Sequence, residues 1–112
     1  MPKNREQLVN DALEMLNIKE TGQTAESEDY NIVDNEVDGL VEELSVREIC
    51  DNIDVTAIDD SIFTYVSTLL ANRVAKKFGL PKDNDEVLMA ELMLIKISFP
   101  DYLDKTLEVD YF

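Results

Sequence analysis

Leu70-Ala71-Asn72-Arg73-Val74-Ala75-Lys76-Lys77-Phe78-Gly79 decides how this chain folds. It closes an amphipathic helix that opens at Asp59 or Asp60, and it sets one guanidinium on the apolar stripe. At 100° per residue Arg73 falls between Ile62 and Val66 and one turn after Leu69 and Leu70, so its head must snorkel to water or meet a carboxylate. Burial without a partner costs several kcal/mol, and an internal ion pair to Arg73 is therefore expected. Gly79 stands where a left-handed residue ends a helix, Pro81 follows, and Lys76 and Lys77 suit the negative end of the dipole.

Three more helices read outward from this one. Asn4 with Gln7 three residues on is a capping-box pair, and Leu8, Val9, Ala12, Leu13 and Leu16 then share one face up to about Asn17. A second helix runs from Thr24 or Ser27 to about Arg47, with Tyr30, Val33, Val37, Leu40, Val41 and Leu44 spaced three and four apart. Its other face carries Glu28, Glu36, Asp38, Glu42 and Glu43, which reads as solvated. Ile32 and Gly39 interrupt that acidic face seven residues apart. Because Gly inside a helix costs about 1 kcal/mol relative to Ala, something is expected to pack closely there. Residues 48–58 lose the helical period and read as an ordered loop with extended pieces around Ile49, Ile53, Val55 and Ile58.

The last helix starts after Asp83 and continues to about Ser98. Val87, Leu88, Met89, Ala90, Leu92, Met93, Leu94, Ile95 and Ile97 take nearly every azimuth, so this helix must be covered on all sides, by the bundle or by another subunit. Beyond Pro100 the period changes to two: Leu107-Glu108-Val109-Asp110-Tyr111 alternates apolar and acidic residues and ends on Phe112. The fold class is therefore all-α, a four-helix bundle over 1–98 with a short extended C-terminal arm over 99–112. That arm is suited to a partner's groove or sheet edge.

Charge and composition restrict the chemistry. The chain has 112 residues, 45% of them apolar, and a net charge of −15, with 17 acids against 4 bases in residues 1–60. A surface of that sign repels phosphate and argues against direct nucleic-acid binding. No long apolar run reads as a membrane span, and Met1-Pro2-Lys3-Asn4 lacks a signal-peptide core. Without histidine and with Cys50 alone, no ordinary zinc site or internal disulfide is expected, and Cys50 reads as a small core residue. Asp51-Asn52-x-Asp54 and Asp83-x-Asp85-Glu86 lack the spacing of a calcium loop, and the three glycines form no phosphate loop. No metal, cofactor or catalytic set is expected, and the chain is read as not an enzyme.

One motif supports a rival. Asp59-Asp60-Ser61-Ile62 at a helix start resembles the attachment site of acyl carrier proteins, which would put a phosphopantetheine on Ser61. Those carriers follow the serine with acids, whereas Phe63 to Lys77 holds none and three bases, and helix N-capping accounts for the aspartates.

A broader resemblance rests on Asn4-Arg5-Glu6-Gln7-Leu8-Val9 with Ala12-Leu13-Glu14-Met15-Leu16-Asn17. Thr24-Ala25-Glu26 before a long helix, Leu70-Ala71-x-Arg73-Val74-Ala75 and Phe78-Gly79 extend it. Together these residues resemble the head-to-tail adaptor family of tailed bacteriophages, over most of residues 4–80, and Leu107 to Phe112 is similar to the ends of short prophage members. The resemblance implies a helical virion protein at the head–tail junction, made in the host cytoplasm. It implies a ring, of twelve subunits in the family, that binds the portal protein and meets a tail or nozzle protein while DNA passes through without specific binding. On that reading Leu107, Val109, Tyr111 and Phe112 dock on the portal or another partner. Ile32, Gly39, Met89 and Met93 meet neighbouring subunits, Glu36, Asp38, Glu42 and Glu43 face the channel, and Arg73 holds the bundle through its ion pair. The long C-terminal extension of larger adaptors is absent. A small acidic DNA-mimic inhibitor is the alternative from a different class, followed by the carrier modified at Ser61.

Overall fold

A computed structural model describes residues 2–99. These residues are mostly helical, in the order α1 (Arg5–Met15), α2 (Ser27–Asp34), α3 (Val37–Val46), α4 (Asp60–Val74) and α5 (Asn84–Ser98), with a 3₁₀ turn over Ala75–Phe78. The starts of α1, α4 and α5 are set by the expected chemistry, whereas α2 and α3 begin after Glu26 and Glu36 without a side-chain cap. Asn4 and Gln7 form a reciprocal capping box on α1, Asp59 accepts from the Ser61 N–H at α4, and Asp83 accepts from the Glu86 N–H at α5. Gly79 closes the 3₁₀ turn at φ 72°, and the Leu80 N–H returns to the Ala75 carbonyl at 3.0 Å. A side chain at that φ would be strained, which accounts for the glycine.

The segment read as one helix over 27–47 is interrupted at Asn35–Glu36. Arg5 of α1 is bound at this interruption. Its Nη2 donates to the Asp34 carbonyl at 2.9 Å, and its Nε donates to Asp34 Oδ1 at 2.6 Å. In a continuous helix that carbonyl would accept from the residue 38 N–H, and here the guanidinium occupies it from the side. The Glu36 N–H turns instead to Val33 O at 3.0 Å, a tightened turn, and α3 resumes at Val37. With α2 and α3 taken together, the described residues make four helical rods.

The centre of the domain is α4, which packs against α1, α2, α3 and α5. Val66 to Asn72 are all buried in an unbroken run, including the polar Ser67, Thr68 and Asn72. Two of these polar groups are satisfied within the fold. Thr68 Oγ1 donates to Thr64 O, while Asn72 donates to Thr68 O and accepts from the Asp83 N–H at 2.9 Å, which ties the start of α5 to α4. Around this rod lie Leu8, Val9 and Leu13 of α1, Leu40 and Leu44 of α3, and Ala90 and Leu94 of α5. The 48–58 loop contributes Ile49, Cys50 and Ile58 to the same core. Ile58 also forms an isolated antiparallel bridge with Lys3, whose ammonium sits 5.6 Å from the centre of the Phe63 ring. Cys50 is buried and free, as a small core residue would be.

The helix that is apolar all round is not the central one. One side of α5 is buried on α4 through Ala90 and Leu94, and the other leaves Leu88, Met89 and Leu92 in water. From Pro100 onward the extended arm lies outside the described residues, and with it Leu107, Val109, Tyr111 and Phe112.

Candidate functional site

Arg73 does find its carboxylates. Its Nε donates to Glu36 Oε1 at 3.3 Å and its Nη1 to Glu43 Oε1 at 3.2 Å, so one α4 guanidinium joins the start of α3 to its last turns. The Glu36 carboxylate also receives Lys77 at 3.5 Å. Glu43 is shared with Arg47, which in turn donates to Glu91 of α5 at 2.7 Å. Strong donation to Glu91 holds the Arg47 guanidinium pKa above its ordinary value against a smaller opposing effect of burial. Three helices are thus linked by one chain of ion pairs: α3, α4 and α5.

The same contact accounts for Gly39. A Cβ built there would lie 3.0 Å from Arg73 Nη2, so the close packing signalled by a mid-helix glycine is against Arg73 of its own chain. Ile32, its companion on the sequence pattern, is half-buried on α2. Of the four acids on the expected channel face, three are engaged inside the chain: Glu36 and Glu43 as above, and Asp38 with Arg5 Nη1 at 2.8 Å. Glu42 is exposed and pairs with no described residue. Donation to Asp34 and then Asp38 raises the Arg5 pKa, while burial followed by the Asp34 charge raises that of the Tyr30 phenol. Sequence spacing cannot show such engagement, because Arg5 and Asp34 are brought together only by the packing of α1 on α2.

Two surfaces of the described residues bear on function. The first is the outer row of α5, where Met89 is 60% exposed, Leu88 56% and Leu92 47%, with Met93 half-buried beside them. Their spacing of one, three and four residues places them on one side of the helix as a continuous apolar row, rather than as scattered single side chains. The second is a cleft of about 330 Å³ between α3, α4 and α5. Leu40, Leu44, Leu69 and Val87 line it with apolar carbon, and four cations, Arg47, Arg73, Lys76 and Lys82, stand around it against two carboxylates, Glu43 and Glu91. Lys76 and Lys82 pair with no described residue. The cleft is therefore locally cationic on a chain of net charge −15. Composition alone could not reveal it, since Arg47 and Lys82 are separated by 35 positions and meet only in the fold.

Ser61 is exposed at the first turn of α4, where its N–H donates to Asp59 Oδ1 at 2.8 Å. Among the described residues no group of three or more His, Cys, Asp or Glu side chains converges on a metal position, and no helix is long and apolar enough to cross a membrane. No family model, curated protein or solved structure matches this chain.

Proposed function

We propose that the chain is a structural head-to-tail adaptor of a tailed phage or prophage: a four-helix adaptor-type bundle over 1–98 with a docking arm over 99–112. It would bind the portal ring and carry the DNA channel toward the tail. The observation that carries the reading is the apolar row of Leu88, Met89 and Leu92 on a strongly acidic body. A contiguous row of that kind serves contact with protein, and the net charge of −15 makes DNA an unfavourable partner for the same surface. In a ring each subunit would cover that row on its neighbour or on the portal. The channel would stay negative through the summed charge of the copies, with Glu42 as the acid on α3 that pairs with no described residue. The resemblance of residues 4–80 to portal adaptors supports the same assignment, with Arg73 as the internal brace.

A DNA mimic gains less support, because a mimic needs acids presented outward in rows, and Asp34, Glu36, Asp38 and Glu43 are engaged with Arg5, Arg47 and Arg73. The test is to mix the full chain, and a chain ending at Ser98, with the portal ring encoded by the same genome, and to weigh the products by native mass spectrometry. Near-stoichiometric addition by the full chain, lost on truncation, is expected. Failure of the full chain to add to the ring would refute the adaptor reading.

A further inference from the structure

The charged side chains of α5 are Asp85, Glu86, Glu91 and Lys96. Two of them are engaged within the chain, Glu86 with the Asn72 amide at 3.4 Å and Glu91 with Arg47 at 2.7 Å. Asp85 and Lys96 are exposed, pair with no described residue, and share a side of the helix with the apolar row. At about 100° per residue Asp85, Leu88, Met89, Leu92 and Lys96 fall within about 100° of one another, opposite the buried Ala90 and Leu94. Within that face Asp85, Met89, Leu92 and Lys96 follow one another by four, three and four residues, the spacing of a two-helix seam. The acid stands at one end, the base at the other, and the apolar side chains lie between them.

That order makes the face complementary to itself when reversed. We propose that α5 pairs antiparallel with α5 of a second copy of this chain about a two-fold axis, with Met89 of each on Leu92 of the other and Asp85 of each against Lys96 of the other. The charges select this register. A slide of seven residues either way keeps the seam spacing, but it sets one charge on an apolar side chain and carries the other beyond α5. Parallel pairing sets Asp85 on Asp85 and Lys96 on Lys96. The net charge of −15 makes most of the surface repel a second copy, whereas this face carries one charge of each sign. Antiparallel helices also bring opposite dipole ends together. The inference does not rest on the adaptor reading, because a two-fold contact joins two free copies and closes, whereas a ring needs two different faces.

α5 has 15 residues and is about 22 Å long, so a contact of one helix from each copy lies at the small end of stable interfaces, and a Kd of about 100 µM is expected. Sedimentation equilibrium of the full chain tests it, from about 10 µM to about 1 mM in about 0.15 M salt, with folding of every variant checked by circular dichroism. The mass is expected to rise from that of one chain toward that of two. Leu92→Glu, at a side chain 47% exposed, is expected to abolish the rise. Asp85→Lys and Lys96→Asp, each counted twice by the symmetry, are each expected to weaken dimerisation about tenfold. The double exchange Asp85→Lys/Lys96→Asp is expected to restore it. That variant suits the dipole of α5 worst of all, so helix stability cannot produce the result. A full chain that keeps the mass of one copy at about 1 mM would overturn the proposal, whether residues beyond 99 or another protein cover the row. So would single charge reversals that dimerise like the unaltered chain, a Leu92→Glu chain that still dimerises, or assemblies larger than two. A monomeric result leaves the portal test standing, and failure on the portal leaves the dimer standing.

Discussion

Replacing Gly39 by Ala sets two effects of similar size against each other, and the structure says how to separate them. Gly39 lies inside α3 without a positive φ, so Ala fits the backbone and gains about 1 kcal/mol of helix propensity. Against that, the new Cβ would stand 3.0 Å from Arg73 Nη2. The guanidinium must give way by a few tenths of an ångström, and its bonds to Glu36 and Glu43 are already 3.3 and 3.2 Å long. These pairs are between a quarter and a half exposed, so solvent screening limits what they contribute to about 1 kcal/mol together. The gain and the loss nearly cancel, and Gly39→Ala alone should change stability by less than about 0.5 kcal/mol. In an Arg73→Ala background the obstruction is gone, and the same substitution should stabilise by the full amount of about 1 kcal/mol, or about 4–8 °C in Tm. Urea unfolding followed by circular dichroism, on the four proteins of the cycle, measures the coupling. If the two substitutions add to within about 0.3 kcal/mol, Gly39 is not there to admit Arg73, and the account of this helix is wrong.

Three further outcomes follow from the caps, the core and the titrating groups. Asn4→Ala removes the side-chain half of the capping box on α1, the Asn4 Oδ1 that accepts from the Gln7 N–H, and should cost about 1 kcal/mol in urea unfolding, with Asn4→Asp losing little. Leu94→Ala should cost about 2–5 kcal/mol because Leu94 is fully buried against α4, whereas Leu88→Ala on the open side of the same helix should stay within about 0.5 kcal/mol; equal costs would contradict the orientation of α5. The Asp59 carboxyl accepts from the Ser61 N–H, which holds it below the ordinary carboxylate range in the folded chain. The unfolded chain then binds the proton more readily, so this contribution is complete above the ordinary aspartate pKa and is lost as pH falls through the folded value. Wild type should melt above Asp59→Asn near pH 6, and the gap should close toward pH 3. A gap that widens on acidification would reverse the sign of the linkage.

The parts of this fold that were legible in the sequence are those whose cause lies within a few residues. Asn4 with Gln7, Asp59 before Ser61, Asp83 before Glu86, and Gly79 before Pro81 each place a helix end through a local hydrogen bond or a permitted φ, and each stands where it was expected. Arg73 was legible for a different reason: a cation on an apolar stripe is a conflict, and a folded chain resolves it by bringing a carboxylate. What could not be read was which carboxylate. Glu36 and Glu43 looked like members of a solvated face because periodicity reports an azimuth on one helix and says nothing of what the next helix presents to it. The break at Asn35–Glu36 has the same origin. No proline or glycine marks it, and the group that meets the Asp34 carbonyl there comes from Arg5, 29 positions away. The central position of α4 rather than α5 also came from packing, since both helices are rich in apolar residues and only the neighbours decide which is enclosed. One consequence bears on function. Acids engaged by Arg5, Arg47 and Arg73 contribute little outward field, so the acidity that a partner meets comes from the remaining carboxylates of a chain with 25 acids and 10 bases.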